Sequence, residues 1–278
     1  MYNSFRKKAV VGIGFVSLAL LAQSVSADIV SFQQGLDNIF VTGYAGTEDN
    51  QIMDPGTGFQ DANIGGRNTI QIGNASPITT RRSIIRFGGL GVMAGNYASI
   101  DSARIVFRKA NGPTGGGTDG IEMYAISDVN AGWVEGNSQF VVTAGESSWN
   151  STDHPNAWIG GGGGGTLGAL QDTLLGVSGN DAANTFYSFD LDPALVNQWI
   201  TGVNAGVVMK ELLEIDGGGS GTDLQIEMYS SEFGAIADAP VRPRLEITYT
   251  VPEPATLVLL SLGGLVMLGR RSLRGSRS

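Results

Sequence analysis

The sequence predicts an all-β antiparallel sandwich with one short helix, on three observations. Apolar and polar residues alternate over short runs. Ala103, Ile105 and Phe107 stand against Arg104 and Arg108, Leu224, Ile226 and Met228 against Gln225, Glu227 and Tyr229, and Leu245, Ile247 and Tyr249 against Glu246 and Thr248. A period of two marks a strand with one buried face. Glycine is abundant, 42 of 278 residues, and supplies turns between these runs. Only one segment carries both helix start and stop signals. Aromatic and branched residues fall too regularly for glycine-rich disorder.

The chain opens on a leader. Arg6, Lys7 and Lys8 precede an apolar run over residues 9–21, and Val25-Ser26-Ala27 places small residues for cleavage between Ala27 and Asp28. This pattern predicts a secretory signal peptide over residues 1–27, a body over 28–250 and a separate C-terminal segment over 251–278. In the body, residues 31–45 hold Phe32, Leu36, Ile39, Val41 and Tyr44 and predict a first strand region. Residues 47–66 are turn-rich. Strands follow at 69–72, where Ile70 and Ile72 share a face, at 83–87 and at 102–108. Residues 111–120 form a glycine loop. In the next strand Ile121, Met123 and Ala125 line one face, with Glu122 and Tyr124 on the other. Residues 127–184 read as one long irregular stretch holding Trp133, Trp149, Trp158 and six consecutive glycines at 160–165. A loop of that length is functional or flexible, and the glycine run reads as a hinge. In the helix Asp192 is the N-cap, Pro193 takes the first position, Leu195 and Trp199 share a face, and Gly202 ends it. A further strand begins at 206–209.

The tail has its own physics. Pro252 and Pro254, either side of Glu253, continue neither a helix nor a central strand, so the folded body stops at Val251. Residues 255–269 are uncharged and helix-compatible. At 1.5 Å per residue they span ~22 Å, short of the ~30 Å hydrocarbon core, a deficit that snorkelling arginines cover. Arg270, Arg271, Arg274 and Arg277 follow and stay cytoplasmic by the positive-inside rule. An ordinary C-terminal transmembrane anchor is one reading. The order of parts, from Val251 through Pro252, Glu253 and Pro254 to about Arg274, resembles the PEP-CTERM sorting signal of Gram-negative bacteria. The resemblance implies that an exosortase, a transpeptidase-like membrane enzyme, acts at the Pro-Glu-Pro motif. It also implies export through the secretion translocon, a transient membrane anchor, and delivery to the cell surface or extracellular matrix.

The body has a resemblance of its own. Ile84-Ile85-Arg86-Phe87, Ile100-Asp101-Ser102-Ala103-Arg104-Ile105, Trp133-Val134-Glu135-Gly136 with Trp149, the helix with Asn204 and Gly206, Ser230-Ser231-Glu232, and Arg242 to Ile247 follow the order of motifs in DNRLRE-type domains. Asn63-Ile64-Gly65 fits an upstream motif. Ser148 departs from the usual Thr before Trp149, and the polyglycine insert is peculiar to this chain. The resemblance covers roughly residues 32–250. It implies a jelly-roll-like sandwich of exported bacterial proteins, some of whose relatives are similar to carbohydrate-binding modules.

Composition bounds the chemistry. The body holds ten Lys/Arg and 25 Asp/Glu, a net charge of −15, which argues against nucleic acid as a partner. With no cysteine, thiolate metal sites, thiol catalysis and redox switching are excluded. His154 is the only histidine, no Gly-x-Ser-x-Gly elbow is present, and the glycine run lacks the lysine of a phosphate loop. The carboxylates are dispersed, so no pair stands out for glycoside hydrolysis and no catalytic residue is assigned. Calcium is the one cofactor the residues suggest. Asp49, Asp54 and Asp61, with Asn50, crowd one segment, and Asp190 and Asp192 flank the helix start; solvated turns are the plain alternative. Trp133, Trp149 and Trp199 are assigned to the core, while Trp158, beside the glycine run, is the candidate exposed platform for a sugar ring. The expected function is a non-catalytic envelope or matrix protein with a structural or adhesive role in exopolysaccharide. The alternatives are a carbohydrate-binding module for a matrix polysaccharide, and a polysaccharide lyase or hydrolase.

Overall fold

Each alternating run of the sequence is a strand. The computed structural model describes residues 27–54, 56, 58–76, 79–112, 117–214 and 224–251. The expected leader up to residue 26 and the tail from Pro252 onward lie outside them. In chain order the strands are β1 (Ala27–Gln33), β2 (Thr47–Met53), β3 (Thr69–Ser76), β4 (Thr79–Phe87), β5 (Ser99–Arg108), β6 (Thr118–Ile126), β7 (Ser151–Asp153), β8 (Asn156–Ala157), β9 (Leu167–Ser178), β10 (Phe186–Leu191), β11 (Val207–Glu211), β12 (Gln225–Tyr229) and β13 (Arg244–Thr250). One α-helix, α1 (Pro193–Thr201), joins β10 to β11. It starts as the sequence predicts: Asp192 Oδ1 accepts the Ala194 N–H at 2.8 Å, Pro193 opens the helix, and Gly202 closes it.

Every strand pairing is antiparallel, in two main sheets. Sheet A has the order β1-β13-β5-β10. Sheet B has the order β12-β3-β4-β11-β6-β9, with β2 also on β4. Their inner faces share one core. Phe32, Ala103, Ile105, Phe107, Phe189, Leu245 and Ile247 of sheet A meet Ile70, Ile72, Ile85, Ile121, Met123, Val207, Ile226 and Met228 of sheet B. Each of the larger of these side chains contributes about 1.5–3 kcal/mol when removed from water, and this layer is the main source of stability.

Sheet B is buried on its other face as well. Ile84 and Val208 point away from the first core and join Ile52, Ile126, Trp133, Trp158 and Ala205 in a second cluster, with Tyr124, Trp149 and Leu167 against it. The cover is residues 127–166, which lie over the outer face of β2, β4, β11 and β6 as a roof.

Three expectations change. The first strand begins at Ala27, upstream of residue 31, because its register against β13 sets Ala27 opposite Thr250. Residues 47–53, read as turns, are β2; their polar side chains find partners in the roof, as when Asn50 donates to Ser147 Oγ at 2.8 Å. The stretch 127–184 is not one loop. It contains β9, the longest strand, and a packed roof.

Candidate functional site

Arginine and tryptophan build the roof onto β4. Arg82 and Arg86 flank Ile84 on the outer face. Arg86 lies 4.5 Å from the Trp133 ring centre, donates to Ala131 O at 2.7 Å and pairs with Glu48. Arg82 lies 4.9 Å from the Trp149 ring, donates to Gly163 O at 2.7 Å and pairs with Glu214 at 2.6 Å. Trp133 donates its indole N–H to Ala205 O, and Trp158 donates to Ser148 O, both at 2.8 Å. Trp158 is only 3 % exposed. It is therefore not the sugar platform expected from its position beside the glycines: it covers the apolar patch that Ile52, Ile84, Ile126 and Val208 make on the outer face of sheet B.

The glycine run is likewise no free hinge. Gly163 donates to Trp149 O at 2.7 Å, and a methyl group on Gly165 would stand 2.7 Å from Ile159 O. Gly160, Gly161, Gly163, Gly164 and Gly165 all have positive φ, between 74° and 104°, the left-handed region where side chains are strained. The run wraps closely around Trp149 because it has no side chains. His154 is half-buried in the turn between β7 and β8, held by backbone bonds to Glu146 and Gly145.

The expected calcium ligands are not brought together. Asp54 lies just past β2, five residues and ~17 Å along an extended chain from Asp49. Asp61 is half-buried and accepts from Asn150 at 2.9 Å. Asp192 is occupied as a helix cap. Asp49 instead meets Glu135 of the roof and Glu232 after β12. Asp49 N–H donates to Glu135 Oε1 at 2.6 Å on the free edge of β2, and Asp49 Oδ2 accepts the Ser231 N–H at 2.7 Å. Burial, then the Glu232 charge, pushes the Asp49 carboxyl well above its ordinary range. Burial, then Asp49 and Glu232, pushes Glu135 up to about 10, and burial raises Glu232. Residue spacing does not show this cluster, although Glu135 and Glu232 both lie in the motifs that carry the body's resemblance.

The outer face of sheet A is open. Its register aligns Phe186 with Arg108, Ser188 with Val106 and Arg244, and Asp190 with Arg104 and Glu246. Phe186 is 56 % exposed, with Arg108 at 5.5 Å and Arg244 at 5.6 Å from its ring centre. Glu246 holds Arg104 at 2.7 Å and Arg244 at 2.6 Å. No ion pair ties Arg108 among the described residues. Beside them runs a groove of about 400 Å³ lined by Ile29, Ser102, Arg104, Asp190, Glu246 and Thr248.

The two ends of the body meet on the same sheet. Ala27 and Asp28, the expected cleavage junction, are exposed at the start of β1 and pair with Thr250 and Tyr249. Val251 is exposed just beyond β13. Pro252, Glu253, Pro254, Arg270, Arg271 and Arg274 lie outside the described residues, and no helix among the described residues is long and apolar enough to cross a membrane. From Thr250 the sequence itself decides the matter: residues 250–274 match the PEP-CTERM protein-sorting motif. The chain carries a PEP-CTERM sorting signal. The PEP-CTERM signal marks it for export, for membrane-associated sorting by an exosortase, and for delivery to the surface. No curated protein matches the chain.

Proposed function

We propose that this PEP-CTERM chain is a non-catalytic sandwich protein, released by an exosortase of a Gram-negative bacterium, that adheres to an acidic exopolysaccharide of the matrix. The observation that carries the binding part is the outer face of sheet A. Two of the body's ten basic residues, Arg108 and Arg244, flank the exposed ring of Phe186 there, and a third, Arg104, lies further along β5 beside Glu246, on a body of net charge −15. Guanidinium groups pair with sugar carboxylates, and an aromatic face packs on the apolar side of a sugar ring. The motif order resembling DNRLRE-type domains supports the same reading. Buried Trp158 plays no part in it.

Electrophoresis through gels containing acidic or neutral polysaccharide is the test. Retardation by an acidic polymer is expected, weakened several-fold by Arg108→Ala or Phe186→Ala. No retardation by any polymer overturns the adhesive reading, and new reducing ends or unsaturated products would mark a hydrolase or lyase instead. Mass spectrometry of the secreted chain tests release separately: the expected C-terminus lacks the arginine tail, and an intact tail rules out sorting-coupled cleavage.

A further inference from the structure

We infer that Asp49, Glu135 and Glu232 form a binding site for a divalent cation of the hard, oxygen-seeking kind, with calcium the best fit. One carboxylate oxygen from each lies within 4.8 Å of the others. Two oxygens bound to one calcium at 2.3–2.6 Å stand at most ~5 Å apart, so a single ion reaches all three. Asp49 has no solvent exposure, and its Oδ1 has no hydrogen-bond partner among the described residues. Glu232 Oε2 is likewise buried without a hydrogen-bond partner among the described residues. Buried acceptors left in this state are rare, and an ion is a direct remedy.

Charge points the same way. Among the described residues, the titratable groups bearing on Glu135 are Asp49, Glu232 and Glu48, all of them carboxyls. The Lys and Arg ion pairs among the described residues engage Glu227, Glu214, Glu48, Glu246 and Glu122, and none reaches the three acids. Ser231 Oγ, at 2.6 Å from Glu232 Oε1 and 3.4 Å from Glu135 Oε1, adds a neutral oxygen at the same place. Calcium accepts irregular oxygen sets and sheds water readily, whereas magnesium demands a regular octahedron and keeps its waters, which a fully buried Asp49 disfavours.

The ion would link three distant parts of the chain: the edge strand β2, the roof, and the segment after β12. Its role is to hold the roof edge and the β12 end against β2, independently of any glycan on sheet A.

The experiment uses the exported protein, stripped with chelator and returned to calcium or magnesium. Equilibrium dialysis should find one calcium per chain. The melting temperature should rise by about 5–10 °C at a hundredfold excess over the dissociation constant, with a smaller response to magnesium. Asp49→Asn and Glu232→Gln should each abolish binding and the shift. Absence of both binding and shift in the unaltered chain at millimolar calcium overturns the site, even where the variants fail to fold. One calcium retained by both variants also overturns it, as does a calcium-insensitive chain made more stable by Asp49→Asn, the mark of carboxyls sharing a proton.

Discussion

The outer faces of the two sheets are opposites. That of sheet A meets solvent with Arg104, Arg244, Glu246 and Phe186, while that of sheet B is sealed under Trp133, Trp149 and Trp158. The strands record the difference. β13 alternates cleanly, whereas β4 and β11 bury adjacent residues, Ile84 with Ile85 and Val207 with Val208. Two buried apolar neighbours in an antiparallel strand mean that both faces are covered at that point; sheet A shows this only locally, at Val106 of β5, whose outer-face neighbours Arg104 and Arg108 are not buried.

The largest test of this contrast removes an aromatic from each face. Trp133→Ala should cost ~3–5 kcal/mol in urea unfolding, because it opens a cavity in the second core. Phe186→Ala should cost within ~0.5 kcal/mol, as exposed positions do. Comparable losses would break the distinction. A smaller effect separates two glycines of equal backbone twist. Gly165 and Gly176 have φ of 75° and 73°, but an added methyl at Gly165 meets Ile159 O at 2.7 Å and Asn130 at 2.3 Å, while at Gly176 it meets open space. Both Ala variants pay the left-handed penalty of ~1–2 kcal/mol, and Gly165→Ala should lose a further ~1–3 kcal/mol in the same measurement.

The smallest effect is on sheet A and depends on pH. Burial draws the Glu246 carboxyl up, but hydrogen bonds from Arg244 and Arg104 outweigh it and hold the group below its ordinary range. A folded value below the unfolded one gives stability that is present above the unfolded value and lost as pH falls through the folded one. Stability measured from neutral pH into acid should therefore decline through this limb, and Arg244→Gln should flatten it, by less than ~1 kcal/mol for so exposed a network.

Much of the fold was legible because period-two alternation and helix caps are local signals. β5, β12, β13 and α1 stand where their residues put them, and Asp192 caps as its position suggests. β9 was not legible: three register shifts against β6 and half-exposed residues on both faces erase the alternation. The roof was missed for a different reason. Its tryptophans sit in a glycine-rich segment of the composition usual for a mobile loop, and only their packing on Arg82, Ile84 and Arg86 at the outer side of β4 shows what they cover. Of the expected metal ligands, Asp49 alone sits in the acidic cluster. Its partners come from the roof and from beyond β12, so the closure is purely tertiary.

The pairing of β1 with β13 bears on how the protein is made. β13 lies between β1 and β5, so the four-stranded layer has a gap at its middle until residues 244–250 have been made. Thr250, which completes that layer, is also where the sorting motif starts. Assembly of the domain and arrival of its address label thus fall at the same moment of synthesis, and a cut beyond Val251 would take away none of the strands β1 to β13.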